Sequence, residues 1–179
     1  GVVDLLSEVF ILGTVNNHPM SRGTVKLRSA NPYERPLVDV NYLSDPSDVE
    51  AAVESVRRML KILEEPDMKK YFLGLKVADA SVPSADASDA VIGNFVRSRA
   101  TSTWHYSCTT RMGPEGDSSC VCDPRARVRG VSNLRIADAG LMPLVVSGNT
   151  NAPSIMIGDR VGYFLAEEHG GSASIRSSL

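Results

Sequence analysis

The chain has 179 residues, enough for one domain of ordinary size with a real core. Apolar residues make up 42 % and charged residues 22 %, with a formal charge of −2, a globular composition whose field recruits neither nucleic acid nor anionic lipid. No apolar run approaches the ~20 residues that a membrane span requires.

The N-terminus lacks the charged start and small-residue cleavage site of a signal peptide. It opens on Gly1, so the expectation is a processed product or an excerpt of something longer. Residues 8–16 are apolar and β-branched and read as a buried strand, broken by Asn16-Asn17-His18-Pro19. Residues 24–28 alternate with period two, as a half-buried strand should. Residues 30–33 form a turn and residues 37–40 a further short strand. Asp45 is a plausible N-cap with Pro46 at the first helical position. Val49, Ala52, Val53, Val56, Met59, Leu60 and Leu63 then recur at helical steps and give one apolar face, up to Glu64-Glu65. Arg57, Arg58 and Lys61 read as a solvated face with salt-bridge options.

Residues 66–73 suggest a short helix and residues 78–90 a polar loop. Ser88 or Asp86 could cap a helix over 89–100 with Val91, Ile92, Phe95 and Val96 inward. Residues 101–153 are rich in Gly, Pro, Ser, Thr and Asn, with one short strand expected over 133–138. Long irregular stretches in a compact domain are usually functional. A last helix over 153–168 has Pro153 in its first turn and Ile155, Met156, Ile157, Val161, Phe164 and Leu165 as its apolar side. The Gly/Ser-rich tail, 170–179, reads as flexible.

Three cysteines, Cys108, Cys120 and Cys122, form no disulfide framework. Cys120-Val-Cys122 faces no second Cys/His pair, so free thiols in a reducing, cytoplasmic compartment are expected and no metal. The basic run Arg111, Arg125, Arg127, Arg129 and Arg135 is interleaved with Glu115, Asp117 and Asp123, which points to solvated surface or interdomain salt bridges.

His105 lies between Trp104 and Tyr106. A histidine there can accept a proton from a bound hydroxyl near neutral pH, and aromatic flanks would shield it from water. Ser147-Gly-Asn-Thr-Asn-Ala-Pro153 offers amide groups just before a helix start, where unpaired N–H groups and the positive dipole end suit an electron-rich ligand edge. Taken one at a time, a structural histidine and a plain capping loop serve as well.

Together these segments resemble something specific. Thr103-Trp-His-Tyr-Ser-Cys-Thr-Thr-Arg-Met-Gly113 is similar to the active-site histidine segment of the glucose–methanol–choline (GMC) oxidoreductases. Asp123-Pro124, Arg127 to Val131, Asn133 to Ala139, Met142-Pro143, Ser147 to Pro153 and Ile155 to Gly158 follow in that family's order. His18 to Val25 and Asp45 to Asp48 resemble the start of its C-terminal domain. Cys108 departs from the family's usual Gly, and Cys120 and Cys122 replace small or apolar residues.

The resemblance implies an α+β fold. An antiparallel substrate-binding sheet is covered by helices over residues 1–100, and residues 101–169 form a strand–loop–helix segment that docks on a Rossmann-like FAD domain and completes it. It implies FAD-dependent oxidation of a small-molecule alcohol, with His105 as the base while hydride passes to flavin N5. Asn149 would hydrogen-bond the substrate oxygen. Asp138 and Ala139 would lie near the flavin ribitol and pyrophosphate, and Trp104, Asn149, Thr150 and Asn151 would contact the flavin. The fingerprint Gly-x-Gly-x-x-Gly occurs nowhere in the 179 residues. An N-terminal FAD-binding part, as a second chain or a cleaved fragment, is therefore the implied partner. The resemblance extends to hydroxynitrile lyases and a photodecarboxylase, and a non-enzymatic structural subunit is the remaining alternative.

Overall fold

The structure is a computed structural model that describes residues 12–70 and 82–170. The chain divides into two compact units, one comprising residues 1–23 and 40–101 and the other residues 24–39 and 102–179. Among the described residues no helix is long and apolar enough to cross a membrane.

The first unit is helical. Helix α1, Pro46–Glu64, starts where the sequence places it: Asp45 Oδ1 accepts from the Ser47 N–H at 2.9 Å and Pro46 occupies the first turn, where its missing N–H costs nothing. The chain turns at Glu65, whose N–H reaches the Ile62 carbonyl, and α2, Pro66–Lys69, follows. Helix α3, Asp89–Arg99, packs on α1. Val53, Val56 and Leu60 meet Ile92, Val96 and Ala85 in one apolar core. Ile92 is fully buried, which stabilises by about 2 kcal/mol relative to exposure.

Three expectations for this unit change. Residues 12–15 form no strand, and residues 8–11 lie outside the described part. Val91 points outward, 51 % exposed, because the inner stripe of α3 runs through Ile92, Gly93 and Val96. Arg57 is not on a solvated face. Its Nη1 donates to the carbonyls of Ala85 and Ala87, and its Nη2 pairs with Asp89 at 2.5 Å, so it ties α1 to the loop that enters α3. Of the short helix expected over 66–73, residues 71–73 lie outside the described part.

The second unit contains an antiparallel hairpin of β1, Thr24–Lys26, and β2, Leu37–Asp39, in the register Thr24 to Asp39, Val25 to Val38 and Lys26 to Leu37. The sheet is antiparallel, but every residue of both strands is exposed. Residues 102–150 run without long elements. Residues 133–138, expected as a strand, contribute one isolated antiparallel bridge, Arg127 to Arg135, made by the Val128–Leu134 and Ile136–Ala126 hydrogen bonds and not extended into a strand. A 3-10 turn, Ala139–Leu141, precedes α4, Asn151–Glu168. Helix α4 begins two residues earlier than Pro153. Its inward side is Ile157 and Val161, which join Cys122, Ala126, Leu141 and Met142 in the unit's core. Ile155 and Met156 face outward, at 66 % and 62 % exposed, contrary to the single apolar side read from the sequence. The tail beyond Gly170 lies outside the described residues.

Candidate active site

The histidine segment is held in place by backbone. The N–H groups of Cys108, Thr110 and Met112 donate to the carbonyls of Ala139, Gly140 and Leu141 at 3.2, 3.0 and 2.9 Å. Alternate residues thus lace the segment along the 3-10 turn. Helix α4 packs on that same turn. His105, just upstream of the laced stretch, is thereby brought to the loop that opens α4, 44 residues away in sequence.

The imidazole bridges two consecutive residues of that loop. Its Nε2 lies 2.9 Å from Oδ1 of Asn149, and its Nδ1 lies 3.2 Å from Oγ1 of Thr150. An amide oxygen only accepts, so in this arrangement Nε2 carries the hydrogen and the Thr150 hydroxyl donates to Nδ1. Turning the Asn149 amide by half a rotation puts an N–H donor at the same place and makes Nε2 the acceptor. His105 is half-buried and Asn149 exposed, so the Nε2 side of the ring opens outward.

Trp104 adopts φ +66°, a left-handed conformation costly for a bulky residue, and its N–H donates to Ser102 Oγ at 2.9 Å. Its ring meets Tyr106 edge to face at 6.4 Å. Both rings are exposed, Trp104 at 78 %, so the shielding of His105 expected from its aromatic flanks is not supplied by them in these 179 residues.

Asp138 caps the 3-10 turn: its Oδ1 accepts the Gly140 N–H at 2.7 Å, and Asp138 itself is exposed. Ala139 is the first residue of that turn. Gly140 is required here, since a Cβ would lie 2.6 Å from Thr110 Oγ1 and 2.8 Å from Asp138 Oδ1. The Thr110 hydroxyl is buried without a partner. Asn151 is the first residue of α4 and exposed. Thr150 is the N-cap residue of α4, yet its side chain makes no capping bond to the helix.

The structure therefore brings His105, Asn149 and Thr150 into contact and sets Asp138 and Ala139 at the turn that carries the histidine segment. Sequence reasoning missed the Thr150–His105 contact. The sequence placed Thr150 in the loop before Pro153 and carried no local signal for this contact, which joins residues 45 apart.

The cysteines are free thiols. Cys120 and Cys122 are buried, and among the described residues no cluster of His, Cys, Asp and Glu could hold a metal. The basic run is structural. Arg111 pairs with Asp117 at 3.2 Å, and Arg129 donates to the carbonyls of Gly113, Pro114 and Asp117. Arg125, Arg127 and Arg135 converge on Glu167 and Glu168 at the end of α4.

A profile described as GMC oxidoreductase matches residues 19–158. An alcohol dehydrogenase [acceptor] of Pseudomonas putida is 39 % identical over 150 residues, which are 84 % of this chain and 26 % of that protein. The mitochondrial choline dehydrogenase of Homo sapiens is 42 % identical over 140 residues, 78 % of this chain and 23 % of that enzyme. An FAD-dependent oxidoreductase from Chaetomium thermophilum superimposes with a TM-score of 0.77 at 30 % identity, over 87 % of this chain and 26 % of that structure. A fungal aryl-alcohol oxidase gives 0.73 at 33 %, over 86 % and 24 %. The chain belongs to the GMC oxidoreductase family and corresponds to its C-terminal domain. It spans about a quarter of the length of these relatives.

Proposed function

We propose that this chain is the C-terminal part of an FAD-dependent enzyme that oxidises a small-molecule alcohol, with His105 as the base. The observation that carries the reading is the imidazole held at both nitrogens by Asn149 and Thr150. A base needs its lone pair aimed at the hydroxyl it deprotonates, and two-point support of a ring fixes that direction. As the O–H bond of the substrate breaks, Nε2 gains the proton. For that step the ring hydrogen is on Nδ1 and Asn149 moves off Nε2, so that the Nε2 lone pair is free and the amide N–H holds the same oxygen and orients the hydroxyl toward Nε2. Hydride leaves the carbinol carbon in the same conversion and the alcohol becomes a carbonyl compound. FAD, when bound, supplies the two-electron acceptor for that hydride.

The residues present fit a flavin. The Thr110 hydroxyl is orphaned beside a glycine whose Cβ would fill the space. The first turn of α4 takes no cap from Thr150, so its N–H groups and dipole end are available to an electron-rich edge. Asp138, Ala139, Asn149 and Asn151 would hold the cofactor, with Thr150 contributing through its backbone, since its hydroxyl is on His105, and with Trp104 beside it. The adenine and pyrophosphate cradle would lie in an N-terminal FAD-binding part, as a second chain or a cleaved fragment of the same enzyme, and residues 101–169 dock on it. The outward Ile155 and Met156 and the bare faces of the hairpin support such a contact.

The test uses the FAD-loaded enzyme containing the FAD-binding part and follows anaerobic flavin reduction by primary alcohols. His105→Ala is expected to slow reduction by about 10²–10⁴-fold while FAD stays bound. Unchanged reduction overturns the assignment of the base, and failure of the assembled wild-type protein to take up FAD overturns the reading as a whole.

A further inference from the structure

The hydroxyl of Thr150 is misplaced for its position in the fold. A threonine at a helix N-cap ordinarily accepts a hydrogen bond from the second or third helical N–H. Thr150 forgoes it. Its backbone sits in the αR region, φ −84° and ψ −1°, rather than in the extended conformation of a capping residue. Its carbonyl still serves the helix, accepting from the N–H of Ser154 at 3.0 Å and from the Ser154 hydroxyl at 2.6 Å. The side chain is turned instead onto Nδ1 of His105 at 3.2 Å.

A hydroxyl differs from the partners usually found on the second nitrogen of a working histidine. A carboxylate or carbonyl only accepts and holds one tautomer. A hydroxyl both donates and accepts. With Nε2–H on Asn149 Oδ1, Thr150 donates to Nδ1. With the hydrogen on Nδ1, Thr150 accepts it and Nε2 is left with its lone pair. When the ring is an imidazolium, Thr150 again accepts.

We propose that Thr150 is a positioning residue whose hydroxyl supports both tautomers of His105 and its protonated form, so that Nε2 can take up and give back a proton without the ring losing its second anchor. The inference rests on His105 being the base. Proton transfer through it is balanced: the substrate O–H breaks, Nε2–H forms, and the Nδ1 hydrogen stays on Nδ1, hydrogen-bonded to Thr150.

The experiment compares Thr150→Val, which keeps the shape and removes the hydroxyl, with Thr150→Ser, which keeps the hydroxyl, in the FAD-loaded enzyme containing the FAD-binding part. Thr150→Val is expected to lower the rate constant for anaerobic flavin reduction by about 10- to 100-fold, with KM nearly unchanged and flavin content unaltered. Thr150→Ser restores the rate to within a few-fold. The ¹⁵N shifts of the His105 imidazole give a readout independent of turnover: Thr150→Val shifts the resting ring to the Nε2–H tautomer alone. Should the valine variant fail to fold, Thr150→Ala carries the same expectations. Wild-type shifts and rates in a hydroxyl-free variant overturn the proposal, and so does loss of FAD, which would make Thr150 a cofactor residue only. His105→Ala separates the two levels. If it reduces flavin normally, the base reading fails. If it is slow while Thr150→Val is not, only the inference about Thr150 fails.

Discussion

The carboxylate of Asp48, in the first turn of α1, accepts the backbone N–H of Ser21 at 2.7 Å across 27 residues of sequence. It also accepts from the Met20 N–H at 2.8 Å, from Asn16 Nδ2 at 3.2 Å and from the Ser21 hydroxyl at 2.5 Å. One buried side chain, 4 % exposed, thus organises residues 16–21 around the start of a helix whose dipole end already favours negative charge. Removing it strands two backbone donors. Asp48→Ala is expected to destabilise the first unit by about 3 kcal/mol, read as a lower urea midpoint.

The same carboxylate makes that unit sensitive to acid. Burial on its own raises the Asp48 pKa, but the hydrogen bonds from Ser21, Met20 and Asn16 outweigh it and hold the value below the ordinary 3.8. A lowered folded-state pKa means that the contribution is complete above about pH 4 and fades as the pH falls further. Asp48→Asn is expected to flatten that acid limb while lowering stability at neutral pH, checked by denaturation from pH 7 down to pH 2.

Glu168 carries a second acid response, in the other unit. The hydrogen bond from Arg135, with those from Arg127 and Arg125, draws its carboxyl from 4.5 down to about 2, against a smaller opposing effect of burial. Arg125 is itself stacked over Phe164 at 4.4 Å, so the cluster joins the end of α4 to the loop that carries the arginines. The stabilisation is complete above about pH 4.5 and is lost between there and about pH 2. Glu168→Gln is expected to remove this part of the pH dependence and to leave a protein more protease-sensitive at the end of α4 at neutral pH, seen by limited proteolysis.

These groups show what could be read from the sequence and what could not. Helix α1 was legible because Asp45-Pro46 and a seven-residue apolar stripe speak for one local outcome. The pairing of His105 with Asn149 was accessible only through the ordered run of motifs, since no local rule joins residues 44 apart. Arg57 was misread because it has a good local role, solvated charge, and tertiary partners at Ala85, Ala87 and Asp89 override it. The contact of Thr150 with His105 is likewise a tertiary pairing that no local rule announces. The outward Ile155 and Met156 defeat periodicity because α4 is apolar on more than one side.

Thiol reactivity should order the cysteines by burial. Desolvation pushes the Cys120 thiol up, helped by its hydrogen bond to Asp117, and it raises Cys122 as well. A thiol that resists ionisation is a poor nucleophile. Cys108 is only half-buried. Iodoacetamide at neutral pH is expected to label Cys108 first and to reach Cys120 and Cys122 only as denaturant opens the core, read by peptide mass mapping over a urea series.

Gly113 is packed directly against Cys120. A Cβ on Gly113 would overlap the Cys120 sulfur and approach its Cβ to 3.2 Å. The glycine cannot retreat, because its N–H is bonded to the Cys122 carbonyl at 3.1 Å and its own carbonyl to Arg129 at 2.7 Å. Overpacking of this kind costs about 1–3 kcal/mol. Gly113→Ala is expected to destabilise within that range. Cys120→Ala removes the sulfur and leaves room for the new methyl, so the double variant should be less destabilised than the sum of the two single changes, by about 1 kcal/mol or more. Urea denaturation of all four proteins measures the coupling. Strict additivity would mean that the clash is relieved by backbone movement and that the sulfur does not limit the space at residue 113.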